Sequence, residues 1–346
     1  TVQWQISTGG GAFTNIPGAT SPTLTLNSVT GAQNGNEYQA VFTNSCAVVA
    51  SLPATLTVNV APAITGSPMN QTVCSSGSVS FTAAASGTPA PTVQWQVSNN
   101  GGPFANVQGA TSTTLTLNSV SPAQNGNTYQ AVFANGCNTA TSSEATLTVN
   151  VAPAVTSSPI NQTVCAGGSV SFTAGAIGTP APAVQWQVSS GGGAFTNIAG
   201  ATSTTLTLNS VTFAQNGNKY QAVFTNSCNT AASSAGTLTV NTGAVVTVNP
   251  VSQSVAASTV TFTAAASGSP APTIQWQVST NGGTTFANIP GATSTTLTFS
   301  PTPSQSDDKY RAVFTSGCAT ATTSAATLTF YDTCIQDNTS RNTLQL

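Results

Sequence analysis

Histidine is absent from all 346 residues, and only ten residues are charged, 3% of the chain. The first absence removes every nucleophile–base pair built on imidazole and the commonest partner of cysteine in zinc sites. The second is extreme against about 25% in ordinary soluble proteins. Four Lys and Arg and a net charge of −2 leave no basic footprint for nucleic acid. No apolar run reaches about 18 residues, so nothing in this stretch reads as a membrane-spanning helix. Seven of the ten charges lie between Asp307 and Arg341, so most of the chain depends on Thr, Ser, Asn and Gln for its solubility. Such a surface repels itself weakly and tolerates lateral association, a glycan coat or dense packing.

The few ionisable groups also bound the chemistry. Glu37 and Glu144 stand far apart in sequence, and there is no Cys-x-x-Cys pair. Asp307-Asp308-Lys309 is the one acidic pair in a turn-like setting. A good Ca²⁺ loop wants roughly six to eight oxygens, so these carboxylates read as solvated turn charge. No catalytic residue, cofactor or metal site is expected, and the chain does not read as an enzyme.

What the chain does have is a repeat, and that reading precedes all others. Trp4, Trp95, Trp186 and Trp276 are its only tryptophans, each in a Val/Ile-Gln-Trp-Gln-Val/Ile frame, at spacings of 91, 91 and 90 residues. Tyr38, Tyr129, Tyr220 and Tyr310 follow at the same spacings. The units are expected at 1–60, 61–151, 152–242 and 243–331, with 332–346 a tail or the start of another domain. Their junctions, such as Asn150-Val151-Ala152-Pro153, hold no Gly/Ser coil, so the last strand of one unit should run almost directly into the next.

Within the second unit, Val79–Ala83, Leu115–Leu117, Tyr129–Phe133 and Ala145–Val149 alternate apolar and polar with the period of two that marks half-buried strands. Gly87–Pro91, Gly101-Gly102, Gly109 and Asn125-Gly126-Asn127 supply turns between them. About seven short strands with turn signals roughly every 8–12 residues predict an all-β, two-sheet sandwich.

The landmarks come in a telling order: Val-x-Phe-x-Ala after a glycine, Trp on the third strand, then Leu-x-Leu and a late Tyr. This resembles the immunoglobulin fold, in particular the intermediate-set-like tandem repeats of large bacterial surface and secreted proteins, over the whole chain to about Tyr331. The resemblance implies four immunoglobulin-like sandwiches in an elongated array. It places the four tryptophans in the cores and the four tyrosines at tyrosine corners, with Asn125, or Ser306 in the last unit, where Asp often stands. It also shows a departure: the inter-sheet disulfide positions carry alanine, as Ala83/Ala131, Ala174/Ala222 and Ala264/Ala312. The first unit begins at its Trp strand, short of two strands or roughly 30 residues. A cut from a longer chain explains that, as does a donated strand from a neighbouring molecule; the tail Asn342–Leu346 alternates as a donor would.

Seven cysteines complete the inventory. Cys74 and Cys165 precede the second strand of their units, and Cys137 and Cys228 follow the Tyr strand. The implied topology puts these two positions at opposite ends of a domain, separated by roughly 20 Å for strands of this length, whereas a disulfide needs Cα atoms within about 7 Å. Head-to-tail pairing, Cys74–Cys228 and Cys165–Cys318, is the favoured arrangement; pairing within units and free thiols stay open. The fourth unit has Ala256 at the lower position. Disulfides imply an oxidising compartment.

The exposed Thr rows, such as Thr113–Thr116, read as solvated strand faces rather than an ice- or polysaccharide-binding plane. Asn70, Asn161 and Asn338 stand in glycosylation sequons. The expected role is an extracellular or cell-surface stalk, fibre or spacer in a larger bacterial protein. Its partners would be neighbouring copies or the rest of a longer chain. The alternatives are an adhesive module for glycans or another cell surface, and a filament subunit assembled by strand donation.

Overall fold

The computed structural model describes residues 1–256 and 258–331; Cys334, Asn338 and the Asn342–Leu346 segment lie outside the described residues. Every regular element described is a β-strand or a three-residue 3-10 turn. The strands gather into two compact units, Thr1–Ala152 with Gly178–Pro180, and Pro153–Ile177 with the chain from Ala181 onward.

In the first unit, the second repeat is a complete two-layer sandwich. One layer is built on Thr92–Ser98, whose antiparallel register with Thr128–Ala134 sets Trp95 opposite Ala131. The strand beginning at Ala145 extends that layer, and Gln71–Cys74 joins it in parallel beside Leu147–Asn150. The facing layer pairs Val79–Thr82 with Thr114–Leu117 and Val60–Gly66 with Ala84–Thr88. Between the layers Phe81, Trp95 and Leu147 are fully buried. The Phe81 ring stacks on Tyr129 at 4.9 Å and tilts against Trp95 at 6.5 Å.

The repeat is more finely divided than its alternation indicates, with ten strand segments in place of seven. The Val79–Ala83 run stops at Thr82, and a new strand, Ala84–Thr88, follows. Ala83 is the pivot: its N–H donates to the Thr113 carbonyl at 3.0 Å, and beyond it the chain exchanges Thr114–Leu117 for Val60–Gly66 as its partner. The break expected at Gly87 therefore falls after Thr88. Thr139–Thr141, which periodicity does not reveal, forms a hairpin with the Tyr129 strand. Each Tyr strand is preceded by a 3-10 turn closed by a capping box, as in Ser121–Gln124.

The first repeat keeps the Trp layer, with Trp4 opposite Ala40, and lacks its cover. Leu24 and Leu26 belong to no strand. Together with Trp4, Tyr38 and Leu56 they line a hollow of about 210 Å³. Phe42 is 49% exposed where its counterpart Phe133 is 2% exposed.

In the second unit the third and fourth repeats follow the same plan, with Trp186 opposite Ala222 and Trp276 opposite Ala312. One strand, Gly236–Val248, serves both repeats. Its first part pairs with Gln162–Cys165 in the third repeat, and its second part pairs with Ala265–Ser269 in the fourth.

Candidate functional site: the clamped joint between repeats

The joint between the third and fourth repeats is built from a strand end and a turn. Gln162–Cys165 runs parallel to Leu238–Asn241, so Cys165 lies beside Asn241 where the shared strand leaves the third repeat. Cys318 sits in the turn between Lys309–Thr315 and Thr320–Thr322 of the fourth. The two are joined by a disulfide with a Cα–Cα distance of 5.7 Å, across 153 residues of sequence. Cys165 is therefore not paired within its own repeat. Cys74 and Cys228 are also disulfide-bonded, whereas Cys46 and Cys137 are exposed thiols. Ala256 follows Val255 as Cys165 follows Val164, so the fourth repeat has no sulfur at this position.

Hydrogen bonds reinforce the joint. The Ser316 hydroxyl donates to the Thr242 carbonyl at 3.3 Å, and the Ser269 N–H donates to the Thr242 hydroxyl at 2.8 Å. Gly243 is there because the turn leaves no room for a side chain: an added Cβ would stand 2.8 Å from the Ala319 Cβ. The sequence carries a signal for this, since Thr242-Gly243 replaces the Val-Ala of the other junctions. Overpacking of this kind costs about 1–3 kcal/mol. Gly243→Val is thus expected to lower the stability of the second unit by that amount in thermal unfolding, with Ala319→Gly recovering much of the loss. A neutral Gly243→Val would show that the turn yields freely.

The other residues singled out by sequence have clear places. Trp95, Trp186 and Trp276 are 0% exposed, and their indole N–H groups donate to the carbonyls of Ser112, Ser203 and Ser294. Trp4, half-buried, donates to Ser21 in the same way at 3.0 Å. Tyr38, Tyr129, Tyr220 and Tyr310 are all buried, and so are the alanines at the positions of the absent inter-sheet disulfide, from Ala83 to Ala312. The Asn125 side chain accepts the Val149 N–H at 2.8 Å, and Ser306 accepts that of Phe330 at 3.1 Å. These positions tie the turn before each tyrosine to the last strand.

The glutamines flanking each Trp have a role that alternation alone cannot show. The Gln130 amide donates to Gln96, and Gln96 donates to Asn106, forming an amide ladder over the outer face. In the fourth repeat Arg311 replaces that first donor, and its guanidinium also lies 3.8 Å over the Phe286 ring.

Asp307 and Asp308 part company. Asp307 is exposed, but Asp308 is only 7% exposed, which corrects the reading of the pair as solvated turn charge. Asp307 holds the left-handed turn conformation, φ 70°, that Gly35, Gly126 and Gly217 hold in the sister repeats, and Asp308 after it takes the buried place used by Asn127 and Asn218. No group of three or more His, Cys, Asp or Glu that could hold a metal ion occurs among the described residues. Asn70 and Asn161, both exposed, use their side-chain carbonyls to accept the N–H groups of Thr146 and Thr237. The Thr rows are four-residue strands in two-stranded pairs, where Ser80 meets Thr116 at 3.0 Å.

Comparison with known proteins agrees with this architecture. Endoglucanase C of Cellulomonas fimi is 44% identical over 182 residues, 52% of this chain and 16% of that protein. Human Roundabout homolog 2 is 33% identical over 150 residues, 43% of this chain and 11% of that one. The chain thus spans less than a fifth of the length of either relative. Among solved structures, an I-band fragment from titin superposes with a TM-score of 0.59 at 14% identity, covering 78% of this chain and 99% of that one, which shows the immunoglobulin-like fold. One family model matches four times, at residues 1–60, 64–151, 155–242 and 243–332. With nearly every residue inside one of those matches, the chain belongs to the family described as Domain of unknown function (DUF8696) and is a tandem array of four of its immunoglobulin-like repeats.

Proposed function

We propose that the chain is a stiff extracellular or cell-surface spacer, built from intermediate-set-like repeats within a larger bacterial protein. The observation that carries this reading is the joint at Thr242-Gly243, where a through-running strand and the Cys165–Cys318 bond fasten two repeats at two places. A single tether permits a hinge; two attachments remove most of its freedom. By the sequence pattern a second clamp, Cys74–Cys228, is expected one domain earlier, and both cysteines are disulfide-bonded. The bacterial match supports the setting, because in Endoglucanase C the related stretch is a small part of a long enzyme. A spacer between working parts needs no chemistry of its own, and disulfides persist in oxidising compartments.

Small-angle scattering of the oxidised chain tests the reading. The expected profile is that of an extended particle, independent of concentration, which broadens when Cys165 and Cys318 are both changed to Ser. A compact profile would defeat the spacer reading, and concentration-dependent growth would favour a filament subunit. Peptide mapping without reductant is expected to give a Cys74–Cys228 fragment; a fragment joining Cys74 to Cys137 would overturn the second clamp.

A further inference from the structure

The fourth repeat is not a plain copy of the others. In the second and third repeats one end of the core is closed by a valine, Val120 or Val211, at 1% and 0% exposure. That valine lies between the Leu-x-Leu strand and the 3-10 turn, in Asn118-Ser119-Val120 and Asn209-Ser210-Val211. The corresponding link in the fourth repeat is the two residues Ser300-Pro301, and the valine is gone. Phe299 stands where the others have Leu117 and Leu208, and its ring lies 5.2 Å from Tyr310. Beside this pair lies a hollow of about 550 Å³, with Val278, Ile289, Leu297 and Phe299 as apolar wall.

Two buried polar groups line the same hollow. The Tyr310 hydroxyl is buried without a well-formed hydrogen bond; the Gln305 side chain lies close enough to lower its pKa slightly but does not satisfy it. Asp308, 7% exposed, replaces the asparagine found at the three sister positions, Asn36, Asn127 and Asn218. No basic side chain is among the described residues of the lining. A carboxylate at a largely buried position and a buried hydroxyl are costly to keep, and each becomes more favourable when a ligand supplies a contact. We propose that this cavity is a binding site for a small organic cation, an ammonium group on an aromatic or aliphatic body. The apolar body lies against Phe299 and Leu297, and the ammonium donates to the Asp308 carboxylate and the Tyr310 oxygen. Burial, and after it the Asp308 charge, pushes the Tyr310 hydroxyl up to about 12, so it stays protonated at neutral pH. Burial also raises the Asp308 carboxyl above its ordinary range, a shift that a bound cation opposes.

Isothermal titration of the full chain at neutral pH with 2-phenylethylamine, which is protonated there, tests the site against its neutral analogue 2-phenylethanol. Saturable binding of one amine per chain is expected, with the alcohol weaker by roughly tenfold or more, the scale of a hydrogen bond to a charged group. Asp308→Asn restores the residue that three sister repeats fold with, and is expected to bring the amine down to the level of the alcohol. Ser304→Trp, at an exposed position on the rim, should block both ligands. Absence of saturable binding would overturn the proposal. So would equal affinity for amine and alcohol, or an Asp308→Asn variant that binds the amine as tightly as the parent.

Discussion

In the Cys165→Ser/Cys318→Ser variant, the second unit unfolds at a lower temperature, with a loss of about 2–5 kcal/mol. The magnitude follows from what the bond closes. It ties residues 153 apart in sequence, and the chain-entropy relation puts a loop of that length near 5 kcal/mol, at the upper end of what disulfides deliver. The lower end applies if the two repeats unfold separately, because opening one leaves much of the loop ordered by the other. For a unit of this size the change corresponds to a shift of very roughly 5–15 °C. Calorimetry checks it: the oxidised parent should show coupled unfolding of the third and fourth repeats, and the double serine variant two overlapping transitions. An unchanged thermogram would mean that the shared strand Gly236–Val248 and the Ser316–Thr242 contact hold the joint unaided. Reducing agent gives a second route to the same comparison, complicated only by whatever Cys74 and Cys228 contribute.

The repeat, the sandwich and its centres were legible because they answer to short-range rules. Alternation reports which face of a strand is buried, and a tryptophan recurring every ninety or so residues reports one core per repeat. The joint was half legible: the cysteine positions pointed to it once a topology was assumed, but Gly243 and Ser316 mean nothing until the chain is folded, since their partners lie some 75 residues away. The division of Val79–Thr88 into two strands escaped for a related reason. Both halves alternate well, and only the exchange of partners at Ala83 separates them. Asp308 was misjudged because a charged residue in a turn is usually solvated. Its alignment with Asn36, Asn127 and Asn218 was the available sign that this place faces inward.

Trp95→Ala is expected to remove a large part of the second repeat's stability, while Trp4→Ala is tolerated. Trp95 is wholly buried, and truncating a buried Trp costs about 3–5 kcal/mol through lost transfer energy and the void left behind. The Ser112 carbonyl would also lose the indole N–H that now meets it at 2.8 Å, adding a further fraction where no water enters. A domain of some ninety residues has roughly 5–13 kcal/mol to lose, and here no inter-sheet disulfide shares the load, because Ala83 and Ala131 occupy those positions. Phe81, stacked on Tyr129 and leaning on the indole, would have no neighbour on one side. Trp4 sits in a repeat whose second layer is absent over Leu24 and Leu26, so its removal enlarges a hollow that is already open and should cost no more than about 2 kcal/mol. Limited proteolysis with mass-spectrometric mapping separates the two results. Cleavage confined to residues 61–151 in Trp95→Ala, with Trp4→Ala close to the parent, is the expected pattern. Equal resistance in both variants would mean that the core is held chiefly by its Phe81–Tyr129 stack and the strand ladders around it.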